Sequence, residues 1–432
     1  MPPTDVESVN IVAPATRVDG ELRVPGDKSI AHRALILAAL AQGESRIAGL
    51  PDGEDVAATV ACLRSLGVKI DRIGGPARVH GGGWRSFSPP QGPLDCANSG
   101  TTMRLMLGVL SGSWVSAALD GDASLRRRPM ARVVDPLRLM GARIQSQDGH
   151  APLTLRGARL QGRRHVLAVP SAQVKSALLL AGLSASGPTS VVEPVATRDH
   201  TERLLRAMGT DVHAAAGVVE VRPSHQPLRP IDLSVPGDFS SAAFWMAAAA
   251  LRPGWSVTIR EVGLNPTRTA FLQLLESMGA EIHVDVGDAG VEPIGSVTVR
   301  GRPLHAIRIG AADVAAAIDE IPALLIVATQ AEGTTVIEGA AELRVKESDR
   351  LATMSEGLRR MGAIVDERAD GVSIHGQANL HGATVESHGD HRVAMALAVA
   401  GLVASGPTTI EEADCVAVSY PDFFSDLQGL AT

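Results

Sequence analysis

The chain has 432 residues, more than one ordinary hydrophobic core organises, so two or three domains are expected. Hydrophobic residues make up 45% and charged residues 20%, a globular composition, and the net charge of −7 offers no basic face for nucleic acid. The longest apolar run, Ala242–Leu251, falls short of the roughly 18 residues a membrane helix needs.

Two further features bear on the setting. The opening MPPTDVESVN has no basic segment followed by an apolar run, so no leader is expected. Cys62, Cys96 and Cys415 form no CxxC pair and no even disulfide framework, which favours a reducing cytoplasm. Lysine occurs only at Lys28, Lys69, Lys175 and Lys346 among 40 basic residues. In a chain that otherwise uses Arg, a retained Lys hints that a compact ammonium is wanted there.

One pattern recurs six times along the chain. A short extended piece leads to a small or acidic residue, an Ala/Leu-rich helix of about three turns follows, and Gly ends it before a β-branched strand. The anchors are Asp27, Gly100, Gln173, Asp238, Asp319 and Asp390, spaced 73, 73, 65, 81 and 71 residues apart. Each unit then carries a second helix, most ending in an LGV- or MGA-type stop, as in ATVACLRSLGV and RTAFLQLLESMGA. Units of this length exceed the common solenoid period, and their helix starts carry different charged groups, as an asymmetric active site requires and a repeat scaffold does not.

In the first unit, VPGDKSIAHRALILAAL puts Lys28 and Ser29 at a helix start, where free N–H groups attract anions, with Arg33 one turn on. The alternative is an ordinary N-cap with a solvated Arg. The second unit opens with NSGTTMRL, offering Asn98, Gly100 and Thr101, and continues through Arg126–Arg128, which in isolation reads as a solvated basic patch. In the third, Ser171 and Gln173 open a helix and Arg198 follows in TRDHTERLL; alone, Ser171 and Gln173 read as a simple cap. Lys175, two positions after Gln173, lies on another face and reads as structural.

The fifth unit places Asp319 at a helix N-cap with Pro322 in the first turn. LRVKESDRLATM, read as helical, sets Lys346 and Arg350 on one face with Glu347 beside Arg350; a salt-bridged surface helix is the alternative. The sixth crowds His388, Asp390, His391 and Arg392 at a helix start. Its HxxH pair lacks further ligands at metal spacing, so a metal site is not favoured. Seven cations and two carboxylates, Asp319 and Glu347, suit phosphorylated, carboxylate-bearing ligands and proton transfer.

GDKSIAHR, NSGTTMRL, the RPM segment, SAQVKSA, TRDHTE, DEIPAL, RVKESDR and GDHRVAMA, in this order and spacing, resemble 5-enolpyruvylshikimate-3-phosphate (EPSP) synthase along nearly the whole chain. The resemblance implies an α/β fold of two domains, each an inside-out α/β barrel of three βαβαββ units, with the active site in the interdomain cleft. It implies a discontinuous domain of residues 1–19 plus 235–432 and a second of residues 20–234. The implied activity is 3-phosphoshikimate 1-carboxyvinyltransferase, moving the enolpyruvyl group of phosphoenolpyruvate onto the 5-hydroxyl of shikimate 3-phosphate, on the route to chorismate and the aromatic amino acids. The relative UDP-N-acetylglucosamine enolpyruvyl transferase is the runner-up, but its active-site loop normally carries a Cys, and none occurs between Cys96 and Cys415.

Carried over motif by motif, Lys28, Ser29, Arg33, Ser171, Ala172, Gln173, Arg198, Asp319 and Lys346 are implied to hold shikimate 3-phosphate. Lys28, Gly100, Arg128, Gln173, Arg350 and Arg392 are implied to hold phosphoenolpyruvate. Asp319, Glu347, Lys28 and His391 are implied to carry the proton transfers. No metal or organic cofactor is implied; glyphosate is the inhibitor associated with the family, and a monomer is expected. This chain departs from the family pattern at Ala31, Ala97 and Ala172, and Val418 stands where some members have lysine.

Overall fold

The computed structural model describes residues 9–72, 75–223, 226–287 and 290–432. The first eight residues, part of the stretch read for a leader, lie outside them. The chain forms two compact units, Gly26–Pro236 and Met1–Pro25 with Gly237–Thr432.

Each repeat builds one small sheet and two main helices, the fifth adding a short one at Ala311–Ala316. In the second repeat Leu94–Asp95, helix Gly100–Ser111, Ala117–Asp120, helix Ala131–Leu139, Arg143–Gln147 and His150–Arg156 run βαβαββ, with one further short helix, Ala123–Arg127. The first strand pairs parallel and the rest antiparallel. The third repeat, from Arg164–Val166 to Val218–Val221, repeats the order.

The discontinuity of the larger unit follows from exchanged strands. Asp19–Arg23 precedes helix Lys28–Leu40 in sequence but lies parallel on Ser256–Arg260, in the unit of the fourth repeat. The sheet of the first repeat instead takes Asp232–Ser234, parallel to Arg46–Ala48. The chain therefore leaves the discontinuous unit after Pro25, not between Val18 and Gly20, because Asp19–Arg23 is committed to a ladder there. Asp27 N–H donates to Pro236 O at 2.7 Å and Asp238 N–H to Pro25 O at 2.8 Å, so each passing strand holds the cap residue of a helix within its own unit.

The first helix of every repeat is central. Lys28–Leu40 is buried from Ile30 onward, and Phe239–Ala250 along its whole length. Beyond His32 and Arg33 the first of these helices is apolar all round, which is the pattern of a core helix rather than a surface one. Small side chains permit close packing. A Cβ on Gly108 would stand 2.3 Å from Ala177 O, so a methyl there would force apart Gly100–Ser111 and Ala172–Gly182. The outer helices stop as read: Gly67 and Gly141 follow them with φ of 87° and 101°, the left-handed cap conformation.

Five of the six central helices are capped by a side chain, four of them at residues the sequence singled out and the second at Ser99, beside Asn98 and Gly100. Asp27, Ser99, Ser171, Asp238 and Asp390 accept N–H groups of Ile30, Thr102, Val174, Ser240 and Arg392 at 2.9, 3.1, 3.3, 2.8 and 2.9 Å. The sixth departs from expectation. Helix Ile321–Gln330 has Glu320, not Asp319, at its cap position, with Pro322 in its first turn. The segment read as one helix through Lys346 and Arg350 is also divided: a 3-10 turn, Ala341–Val345, ends at Lys346, and the α-helix begins at Arg350 behind Asp349, which accepts Ala352 N–H at 3.1 Å. Asp349 is a better cap than helix interior, so it starts the helix four residues later than Lys346. No described helix is long and apolar enough to cross a membrane.

Candidate active site

The central helix starts bring the sequence-selected residues into two groups, one per unit. Within Gly26–Pro236, Lys28 opens its helix and its Nζ meets Asp55 Oδ2 at 2.8 Å. Arg33 is buried rather than solvated. Its Nε donates to Thr201 Oγ1 at 2.8 Å, Nη1 to Ser29 O at 2.8 Å and Nη2 to Ser176 Oγ at 2.9 Å. Arg198 Nη1 reaches Ser29 Oγ at 3.4 Å. Two cations and a hydroxyl thus stand together at the helix start, beside a third cation held below them.

The same network runs on to the second repeat. Gln173 donates from Nε2 to Thr101 Oγ1 at 2.9 Å and accepts at Oε1 from Arg104 Nη1 at 2.7 Å. Arg104 Nη2 is 3.3 Å from Pro129 O. Arg128 donates to Asn98 Oδ1, while Asn98 Nδ2 donates to Asp122 Oδ2 at 2.7 Å. Of the three consecutive arginines, Arg126 is an exposed partner of Asp120 and Arg127 is exposed, whereas Arg128 is buried. Ser171 serves as cap, and Ala172 contributes backbone only. Beneath this surface His32 Nδ1, Thr59 Oγ1, Thr102 Oγ1 and Ser99 Oγ form a chain of contacts at 2.6, 2.7 and 2.8 Å. Burial depresses His32 to about 3, with Lys28 and Arg33 adding to the effect against Asp55, so the ring is neutral.

In the other unit, Arg350 is buried and collects three carboxylates. Its guanidinium lies 2.8 Å from Asp390 Oδ2, 3.3 Å from Asp319 Oδ1 and 2.5 Å from Glu347 Oε2. Burial opposes its charge, but Asp390, Glu347 and Asp319 more than offset this and hold it firmly protonated. Arg392 Nη1 donates to Asp319 O at 3.1 Å, and its Nε is 3.8 Å from Asp319 Oδ1. Crowding by protein atoms pushes the Lys346 ammonium below its usual range, opposed by Asp319 and assisted by Arg350. His391 is buried at the first helical position. His388, the other member of the HxxH pair, is half exposed beside Glu386 at 3.6 Å. Among the described residues no group of three or more His, Cys, Asp or Glu is placed to hold a metal ion.

Each group combines cations with polar side chains at helix starts, suited to anions. The second adds two carboxylates fixed on one arginine, suited to proton transfer. Sequence reasoning missed Asp55, Arg104, Asp122 and Thr201. Only Arg104 carried a local signal, one turn after Gly100 in NSGTTMRL; Asp122 lies 24 residues from its partner Asn98, Thr201 lies 168 from Arg33, and Asp55 sits on the helix after that of Lys28.

Comparison with known proteins identifies the family. The family model of EPSP synthase (3-phosphoshikimate 1-carboxyvinyltransferase) matches residues 12–427. The chain is 54% identical over 421 residues to the 3-phosphoshikimate 1-carboxyvinyltransferase of Gloeobacter violaceus, covering 96% of this chain and 97% of that one. It is 51% identical over 415 residues to the protein of that name from Acidithiobacillus ferrooxidans, covering 96% and 95%. The EPSP synthase structure from Acinetobacter baumannii superposes with a TM-score of 0.87 at 42% identity, covering 99% of this chain and 98% of that one. The enolpyruvyl transferase NikO from Streptomyces tendae, at 21% identity, 98% coverage of both chains and a TM-score of 0.80, shares the fold. Neither the scaffold nor the sugar-nucleotide alternative is the family matched, and the chain belongs to the EPSP synthase family.

Proposed function

We propose that this protein transfers the enolpyruvyl group of phosphoenolpyruvate to the 5-hydroxyl of shikimate 3-phosphate and releases phosphate. The observation that carries the reading is Arg350, buried and bonded to Asp319, Glu347 and Asp390. It holds two carboxylates and the cap of helix His391–Gly401 in one cluster, next to Arg392 and Lys346.

Lys28, Ser29, Arg33, Ser171, Gln173, Arg198, Asp319 and Lys346, with the Ala172 backbone, bind shikimate 3-phosphate in this reading. Lys28, Gly100, Arg128, Gln173, Arg350 and Arg392 bind phosphoenolpyruvate. Asp319 takes the proton of the 5-hydroxyl, whose oxygen forms a bond to the phosphate-bearing carbon. Glu347, with Lys28 and His391, delivers a proton to the methylene carbon. Loss of a methyl proton and of phosphate from the tetrahedral adduct restores the double bond. The cations offset charge that grows on carboxylate and phosphate oxygens, the contribution that is usually largest. Glyphosate, with an anionic group at each end, competes for the phosphoenolpyruvate cations.

Phosphate release by the pure protein tests this. It requires both substrates and persists in a metal chelator. Release without shikimate 3-phosphate, or loss on chelation with recovery on adding zinc or magnesium, contradicts the reading.

A further inference from the structure

Lys175 reads from sequence as structural, on a different helix face from Gln173. In the fold its side chain is 1% exposed, and its Nζ lies 2.8 Å from both Glu193 Oε2 and Glu202 Oε1. Its third partner is Thr197 O at 3.2 Å. The ammonium donates hydrogen bonds to Glu193 Oε2 and Thr197 O, and Glu202 adds the second opposite charge.

Those acceptors bracket a single strap. Glu193 follows strand Thr189–Val192, Thr197 lies midway, and Glu202 is in the first turn of helix His200–Ala207. Glu193 also accepts from Thr197 Oγ1. Arg198, next along the chain, is therefore attached to a backbone pinned at its preceding carbonyl. The strap is gripped again at Thr201, whose Oγ1 meets Ser176 Oγ and Arg33 Nε, each at 2.8 Å. Consecutive residues of one central helix, Lys175 and Ser176, thus tie the segment that carries Arg198.

Ordinary packing does not require this arrangement. Two buried carboxylates against one ammonium are costly to desolvate, and an apolar contact of similar volume would join helix to strap more cheaply. The chain uses lysine at only four of its 40 basic positions. Here one compact ammonium nitrogen meets Glu193, Glu202 and Thr197 at once, which the planar fork of Arg would not reproduce.

We propose that Lys175 is a positioning residue for the shikimate 3-phosphate side: by tethering residues 193–202 it sets where Arg198 presents its guanidinium. This rests on the assignment of Arg198 to that substrate under the proposed function. The test is Lys175→Met, with steady-state kinetics for each substrate and amide hydrogen exchange along the chain. The KM for shikimate 3-phosphate rises about tenfold or more, as loss of a charged tether implies. The KM for phosphoenolpyruvate and kcat stay within about twofold. Exchange quickens at residues 194–199 and not in helix Gly100–Ser111. Unchanged kinetics, or a parallel loss for both substrates, overturns the proposal. If Lys175→Met does not fold, Glu193→Gln, which removes one charge and keeps an acceptor, is held to the same split. A wild-type protein that releases no phosphate from the two substrates refutes the proposed function alone; the strap exchange in Lys175→Met then decides the tether, and unchanged exchange refutes it.

Discussion

Lys28 Nζ stands 2.8 Å from Asp55 Oδ2, with the two side chains only 15% and 10% exposed. The carboxylate comes from the helix Glu54–Ser65, so the second helix of the first repeat aims the ammonium presented by the first. Asp55→Asn keeps the shape and removes the charge. Hydrogen bonds to charged groups contribute about 1.5–3 kcal/mol, so kcat/KM for both substrates falls roughly tenfold to a hundredfold. Phosphate-release kinetics check this; wild-type values would mean that other groups place Lys28.

Asp319 and Glu347 are held on Arg350 at 3.3 and 2.5 Å. Asp319→Asn and Glu347→Gln each lower turnover by about a hundredfold or more, the range for acid–base groups, while KM changes less. Single-turnover measurements isolate the chemical steps. Near-normal turnover in Asp319→Asn removes it from the base role.

A Cβ added at Gly100 would lie 2.6 Å from Arg104 Nη1 and 3.4 Å from Arg128 Nη1. The end of Arg104 must give way, which loosens its 2.7 Å bond to Gln173 Oε1. Glyphosate is longer than phosphoenolpyruvate and needs more of the space beside this helix start, so Gly100→Ala needs about tenfold more glyphosate for half inhibition, equivalent to about 1.4 kcal/mol, with a smaller rise in the KM for phosphoenolpyruvate. Equal glyphosate titrations of wild type and variant would refute the steric account.

His32 is neutral in the fold because burial takes its pKa to about 3, whereas a free histidine titrates near 6.5. Above about pH 6.5 neither state binds the proton and the group adds no pH dependence. As pH falls from about 6.5 toward 3 the unfolded chain takes up a proton that the fold refuses, and stability drops by about 1.4 kcal/mol per pH unit. Denaturant unfolding between pH 6 and 4 measures the slope. His32→Gln flattens it by about one proton; an unchanged slope would show that other groups dominate acid lability.

Caps and stops were readable because they are local. A Ser or Asp cap answers an N–H two or three residues ahead, as Ser171 does for Val174, so residue type and spacing suffice. The same local logic misassigned Asp319 as a cap, since Glu320 one position later competes for the place. It also ran one helix through Lys346–Arg350, because i to i+4 charge spacing does not reveal the better cap at Asp349.

The sequence alone determined the six repeated units, the apolar central helices and the set of charged groups at their starts, because periodicity and capping act within a few residues. Only the tertiary structure decided which group meets which. Arg33 reaches Thr201, Arg104 reaches Gln173 and Arg350 reaches Asp390 across 168, 69 and 40 residues of chain. Such pairs form only when three buried helices pack side by side and exclude the water that would otherwise screen their charges. Lys175 shows the difference most clearly: on its own helix it faces away from Gln173, yet packing places it between Glu193 and Glu202 and gives it hold of Arg198's segment.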